Sequence, residues 1–166
     1  ALALLGEWGI NEMIGIICDG AGYGSDGTIW GGEILLCHED RYQRVGRLQS
    51  HPMVGGDLAT RYPIRMAAGI LRNQQDFLEW LQSQKEWFPH GKREIQILLH
   101  ELAKHRGTST SSCGRVLDAV AAILNLCRER TYPGEPAMKL EACAQGGQNK
   151  LNVTPLIEKS VLNTSN

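Results

Sequence analysis

Cys18-Asp19-Gly20-Ala21-Gly22-Tyr23-Gly24-Ser25-Asp26-Gly27-Thr28-Ile29-Trp30-Gly31-Gly32-Glu33 is the stretch that decides the reading of this chain. It holds six glycines and three carboxylates in sixteen residues. It directly follows Ile14-Gly15-Ile16-Ile17, an apolar run that reads as a buried strand. Gly20, Gly22, Gly24 and Gly27 can take positive φ and turn their amides toward a small anion, which is how a phosphate-type cradle is built. A tight hairpin with a bulge uses the same glycines. Asp19 ends the strand, where a carboxylate is costly unless it is paired, hydrogen-bonded or metal-bound.

Working outward, residues 1–9 read as a helix end stopped by Gly9, and residues 14–18 as the first strand. Apolar runs at 28–37 and 42–50 flank the polar turn His38-Glu39-Asp40-Arg41, which predicts a three-stranded antiparallel β-meander over residues 1–54. From Gly55 the spacing becomes helical, with Leu58, Tyr62, Met66 and Ile70 four apart and Pro63 marking a break. Phe77, Leu78, Trp80 and Leu81 predict a second helix face, and Ile95, Leu98, Leu99 and Leu102 a third.

Thr108-Ser109-Thr110-Ser111-Ser112 can N-cap a helix from Gly114 to Leu126 that is apolar almost all round and so expected to be deeply buried. Pro133-Gly134 precedes a helix near 135–145, and a short helix is expected at 155–162. Strands first and helices after give an α/β fold of α+β appearance, with residues 55–166 mainly helical.

The chain has 166 residues, a net charge of −1 and 42% hydrophobic content, which suit one soluble domain. No basic field favours nucleic acid, and no apolar run approaches the roughly 20 residues that span a membrane. The start, Ala1-Leu2-Ala3-Leu4-Leu5, lacks the features of a leader and reads as a chain cut within a helix. Five scattered cysteines without a C-x-x-C pair fit reduced thiols in a cytoplasmic protein.

Four blocks carry a family resemblance. They are the glycine segment above; Pro52-Met53-Val54-Gly55-Gly56-Asp57 with Arg61 and Arg65-Met66-Ala67; Thr110-Ser111-Ser112-Cys113-Gly114-Arg115-Val116-Leu117-Asp118-Ala119; and Tyr132-Pro133-Gly134-Glu135-Pro136-Ala137. Together they resemble the HypF carbamoyltransferases, in the first half of a C-terminal domain of the actin/sugar-kinase (ASKHA) type that is related to the tRNA threonylcarbamoyl transferases.

The resemblance implies a single partial domain over residues 1–166, one lobe of that fold. It implies ATP and carbamoyl phosphate as substrates, carbamoyl-adenylate as the species bound, and transfer of the carbamoyl group to the C-terminal cysteine of a HypE-type acceptor. By the same resemblance Gly20, Gly22, Tyr23, Gly24, Asp26, Gly27 and Thr28 hold the carbamoyl or phosphate oxygens. Gly114, Asp118 and Gly134 face the nucleotide, with Asp118 on the ribose.

Asp19 is expected as a ligand of a divalent metal, iron or zinc. The family's two metal-binding histidines fall before Ala1, and His38, His51, His90, His100 and His105 match none of them. Lys139 stands where many relatives carry an acid, and Asp57 fits the cap region of the helix that follows it. With part of the site outside the chain, the isolated chain is expected to be inactive. A non-catalytic half-domain that self-associates through an uncovered face is the other expectation, and O-carbamoylation of a small metabolite uses the same site.

Overall fold

The computed structural model describes residues 2–104, 107–151 and 153–165. His105, one of the five histidines that match no family ligand, lies outside them. The chain opens with α1 (Leu2–Trp8) and then forms β1 (Glu12–Tyr23), β2 (Ile29–His38) and β3 (Arg41–Leu48), paired antiparallel as the hydrophobic pattern predicts. β1 runs five residues past the expected strand end, so the glycine segment is partly strand. Cys18 pairs with Gly32 and Gly22 with Trp30, leaving Asp19, Gly20 and Ala21 opposite Gly31 alone. That surplus is a β-bulge, which pushes the backbone of Asp19 and Gly20 out of the ladder.

The sheet has seven strands rather than three. β4 (His51–Met53) follows β3 directly. β5 (Thr108–Thr110) arrives after the helices, pairs antiparallel with β4, and meets β2 in parallel at Ile29. The hydroxyl run is therefore a strand that leads into a helix cap, because alternate threonine side chains suit a pleated ribbon as well as a cap. The helix expected at 155–162 is instead a hairpin, β6 (Ile157–Glu158) and β7 (Val161–Leu162), with β7 parallel to β3. Its turn residues Lys159 and Ser160 both have positive φ, which a helix excludes.

Between β4 and β5 lie α2 (Asp57–Arg61), α3 (Ile64–Leu71), α4 (Phe77–Ser83), a 3-10 turn (Lys85–Trp87) and α5 (Gly91–Ala103). Pro63 separates α2 from α3, because it cannot donate to the preceding turn. Gly56, not Asp57, is the N-cap of α2; Asp57 is exposed, makes no side-chain cap bond and sits in the first turn, where it complements the helix dipole. Met66, Ile70, Leu81, Ile95 and Leu98 form one core with Met53 of β4 and Ala119 and Ala122 of α6 (Cys113–Ile123). Leu58 and Leu78, expected on buried faces, are exposed.

α6 is not buried all round. Leu117, Val120 and Leu124 face out, while Arg115 and Asp118 are buried. The polar side of this helix faces into the protein and part of its apolar side faces away. α7 (Glu135–Ala144) packs beside it. No helix among the described residues is long and apolar enough to cross a membrane.

Candidate nucleotide cleft

Ser112 is the N-cap of α6 and the hinge of the site. Its Oγ accepts from the Arg115 amide at 3.2 Å and faces the carbonyl oxygens of Asp19 and Gly20 at 2.7 and 2.8 Å, to which its hydroxyl donates. The preceding hydroxyl, Ser111, donates to the buried Glu33 carboxylate, which also accepts the amides of Gly31 at 2.5 Å and Gly32 at 2.8 Å. These bonds fasten the start of α6 to the bulge in β1 and to β2. Gly114 allows the contact to be this close: a Cβ there would stand 2.8 Å from the Gly20 Cα.

Between the bulge, α6 and α7 opens a cleft of about 330 Å³. Asp19, Gly20, Gly114, Asp118 and Gly134 all line it, so residues from three of the four sequence blocks converge across more than a hundred positions of chain. Gly134 reaches its wall through a left-handed conformation, φ +81°, which ends the preceding turn and starts α7.

Asp118 is 3% exposed. Burial pushes its carboxyl up to about 6, against the opposing pull of Arg115 and Arg130. Its Oδ2 lies 3.0 Å from an Arg115 guanidinium nitrogen but has no well-aligned donor, and the Arg115 Nε is likewise without a partner among the described residues. A buried carboxylate with spare acceptor capacity is chemically suited to a pair of hydroxyls.

Arg115 and Arg130 also line the cleft, and no role was read for them from the sequence. Arg115 lies inside the third block, so its only signal was its place one residue after Gly114. Arg130 sits in an irregular loop, fixed by its amide bonding to the Arg61 carbonyl at 2.7 Å, and nothing in the local pattern marks it.

The hairpin tip is arranged differently. Of Gly20, Gly22, Gly24 and Gly27, only Gly27 has positive φ. Gly24 and Gly27 spend their amides on Thr28 and Gly24 carbonyls, and the Thr28 amide goes to Asp26. Asp26 further accepts from the Thr28 hydroxyl at 2.6 Å and the Trp30 indole at 2.9 Å, and ion-pairs with Arg44 at 2.9 Å. These bonds, the Thr28 hydroxyl first, hold its carboxyl well below the usual range. Arg44 stacks on the Trp30 ring at 4.2 Å. Tyr23 is almost fully exposed. The bulged hairpin thus accounts for Gly24, Asp26, Gly27 and Thr28 by their own mutual bonds, and Gly22 pairs with Trp30 in the ladder.

Lys139 pairs with Glu135 at 2.8 Å along α7. As for a metal, Asp19 offers one carboxylate, and no cluster of three metal-binding side chains exists among the described residues. The residues present do not by themselves form a metal site.

Residues 15–166 match a family model described as "Carbamoyltransferase, Kae1-like Domain, second subdomain". The chain belongs to the HypF carbamoyltransferase family. It is 40% identical over 169 residues to the probable carbamoyltransferase HypF of Methanocaldococcus jannaschii, covering 99% of this chain and 22% of that protein. It is 37% identical over 161 residues to carbamoyltransferase HypF of a Synechocystis species, covering 85% and 20% respectively.

Among solved structures it resembles HypF of T. kodakarensis, with a TM-score of 0.84, 39% identity and coverage of 97% of this chain and 22% of that one. A full-length HypF in a phosphate- and nucleotide-bound form gives a TM-score of 0.83 at 31% identity, covering 96% and 25%. The chain therefore spans about a fifth to a quarter of the HypF proteins it matches, and its mixed α/β architecture is that of the corresponding HypF region.

Proposed function

We propose that the cleft binds the adenylate of a carbamoyl-adenylate made from ATP and carbamoyl phosphate, for transfer of the carbamoyl group to the C-terminal cysteine of a HypE-type acceptor. The observation that carries this reading is the convergence of Asp19, Gly20, Gly114, Asp118 and Gly134 on one hollow. Asp118 accepts from the ribose hydroxyls, the role its buried and under-satisfied carboxylate suits. The first turn of α6 and the guanidinium of Arg130 face the phosphate, where an N-terminal helix end and a cation both favour negative charge.

In the transfer step the acceptor thiolate attacks the carbamoyl carbon, the bond from that carbon to the phosphate oxygen breaks, and AMP departs with the electron pair. Positive charge from Arg130 and the helix end stabilises that departing phosphate. Fixing the ribose holds the reacting carbon in place, a proximity effect. The nucleophile is the acceptor's, so no cysteine of this chain is required for it. No step is assigned to a metal, because one carboxylate is not a site.

At 18.3 kDa the chain suits amide-resolved NMR. Titration with AMP is expected to shift Gly20, Gly114, Arg115 and Gly134 first. Shifts confined to Tyr23 through Thr28, or no shifts at millimolar AMP, would overturn the assignment of this cleft.

A further inference from the structure

Cys18 is the last residue of β1 paired in register before the bulge, and Cys113 is the first residue of α6. Both border the nucleotide cleft, and both also border a second hollow of about 460 Å³ lined by Ile16, Ile34, Val45 and Leu48. They therefore occupy the ridge where the two hollows meet. The backbones beside them are in direct contact: Gly114 leaves no room for a Cβ against Gly20, and Ser112 reaches the Asp19 and Gly20 carbonyls. Burial, and then the neighbouring Cys18, hold the Cys113 thiol above its ordinary range. Cys18 is exposed and Cys113 half-buried, so a small reagent reaches the pair. Cys37 and Cys127 are buried, and Cys143 is exposed on α7.

We propose that Cys18 and Cys113 form a reversible disulfide that pins the bulge of β1 to the start of α6, across the wall of the cleft. The oxidant is a low-molecular-weight disulfide of the glutathione class. The more exposed Cys18 gives its proton to water and attacks one sulfur of that disulfide; the small molecule's S–S bond breaks, and the departing sulfur takes up a proton and leaves as one reduced thiol. Cys113 then loses its proton to water and attacks the Cys18 sulfur of the mixed disulfide, expelling the second reduced thiol. Two protein thiols are oxidised and one small disulfide is reduced to two thiols.

Disulfides demand Cα atoms within about 7 Å and a defined torsion, and the contact of Gly114 with Gly20 brings together the two backbone segments that carry Cys113 and Cys18. A bond that closes so long a loop constrains the unfolded chain strongly, so the oxidised protein melts at a higher temperature. This site goes beyond the nucleotide reading, because the bond forms whether or not AMP binds.

The test treats the reduced chain with excess oxidised glutathione, blocks remaining thiols with N-ethylmaleimide, and reads the intact mass and a non-reducing digest. The expected result is two thiols fewer open to maleimide, a linked Cys18–Cys113 peptide lighter by two hydrogens than the two free peptides, and a raised Tm that dithiothreitol reverses. Cys18→Ser and Cys113→Ser each abolish the linked peptide and leave a stable glutathione adduct on the remaining partner, whereas Cys143→Ser leaves the linked peptide in place. Unreacted protein, stable adducts on wild-type Cys18, or a link to any other cysteine would overturn the proposal.

Discussion

The hydroxyl of Ser112 lies 2.7 Å from the carbonyl oxygen of Asp19, although 93 positions separate the two residues. The Ser112 Oγ also caps α6, accepting from the Arg115 amide. One side chain thus fixes the helix end and the bulge relative to each other, and the cleft between Asp19 and Asp118 depends on that fixing. Ser112→Ala removes the cap and the bonds to the Asp19 and Gly20 carbonyls. The expected loss is about 1–2 kcal/mol of stability, read from urea unfolding, with AMP affinity reduced in the folded variant. Unchanged stability would show that the cap and the bulge are held by other contacts.

Gly114→Ala tests the closeness of the backbones. The added methyl meets Gly20 backbone, which has no flexible end to swing away. A cost of about 1–3 kcal/mol is expected, as for other overpacked sites, together with loss of AMP binding. Gly146→Ala is the comparison: its Cβ meets open space, so its positive φ alone sets a smaller cost and AMP binding stays unchanged.

On the proposed reading, Asp118 makes ligand binding depend on pH. Its folded pKa is raised to about 6, first by burial, and the proposed pair of ribose contacts uses the acceptor-only ionised form. Adenosine, which has no phosphate to titrate in this range, should bind roughly tenfold more weakly at pH 5 than at pH 7, as the competent fraction falls. Because the folded pKa exceeds the unfolded one, the stability penalty of the buried carboxylate is relieved as pH falls through 6 toward 4. A pH-independent adenosine affinity would separate Asp118 from the ligand.

His51 runs the opposite way. It is buried at the start of β4, with Nε2 2.7 Å from the Thr164 hydroxyl and Nδ1 without a partner among the described residues. Burial, then Arg72, lowers its pKa from 6.5 to about 4. The stability it supports is complete above pH 6.5 and is lost as pH falls toward 4, because the unfolded chain takes up the proton first. His51→Gln should flatten the stability curve in that window, measured by urea unfolding at several pH values.

Among the described residues β1 pairs only with β2, and Ile14 and Ile16 are 65% and 74% exposed on it. Edge strands with apolar exposed faces associate. Sedimentation equilibrium is expected to show concentration-dependent association that Ile16→Lys reduces; a monomer at hundreds of micromolar for the parent chain would remove the expectation.

The meander, the break at Pro63 and the family were legible because they rest on local signals: alternation, a missing donor, and dense motifs. The helix expected at 155–162 failed because Leu156, Ile157, Val161 and Leu162 carry a helix-compatible spacing, while pairing with β3 comes from a distant strand. α6 misled for a related reason. Its composition shows that it is apolar, but not that Arg115 and Asp118 are the residues turned inward. The glycine segment left two readings open because glycines serve tight turns and anion cradles alike. Only the Asp26 network reveals how its tip is satisfied. Arg130 was invisible, since a loop arginine acquires its place from the Arg61 carbonyl and from nothing in its own neighbourhood.

The most direct test of the nucleotide cleft is calorimetric titration of AMP and of 2′,3′-dideoxy-AMP into the parent chain and Asp118→Asn. The cleft reading predicts that Asp118→Asn weakens AMP roughly 10- to 100-fold, the worth of hydrogen bonds to a charged acceptor, and leaves the dideoxy nucleotide's weaker binding unchanged. Equal loss for both nucleotides, or no loss for AMP, would contradict it.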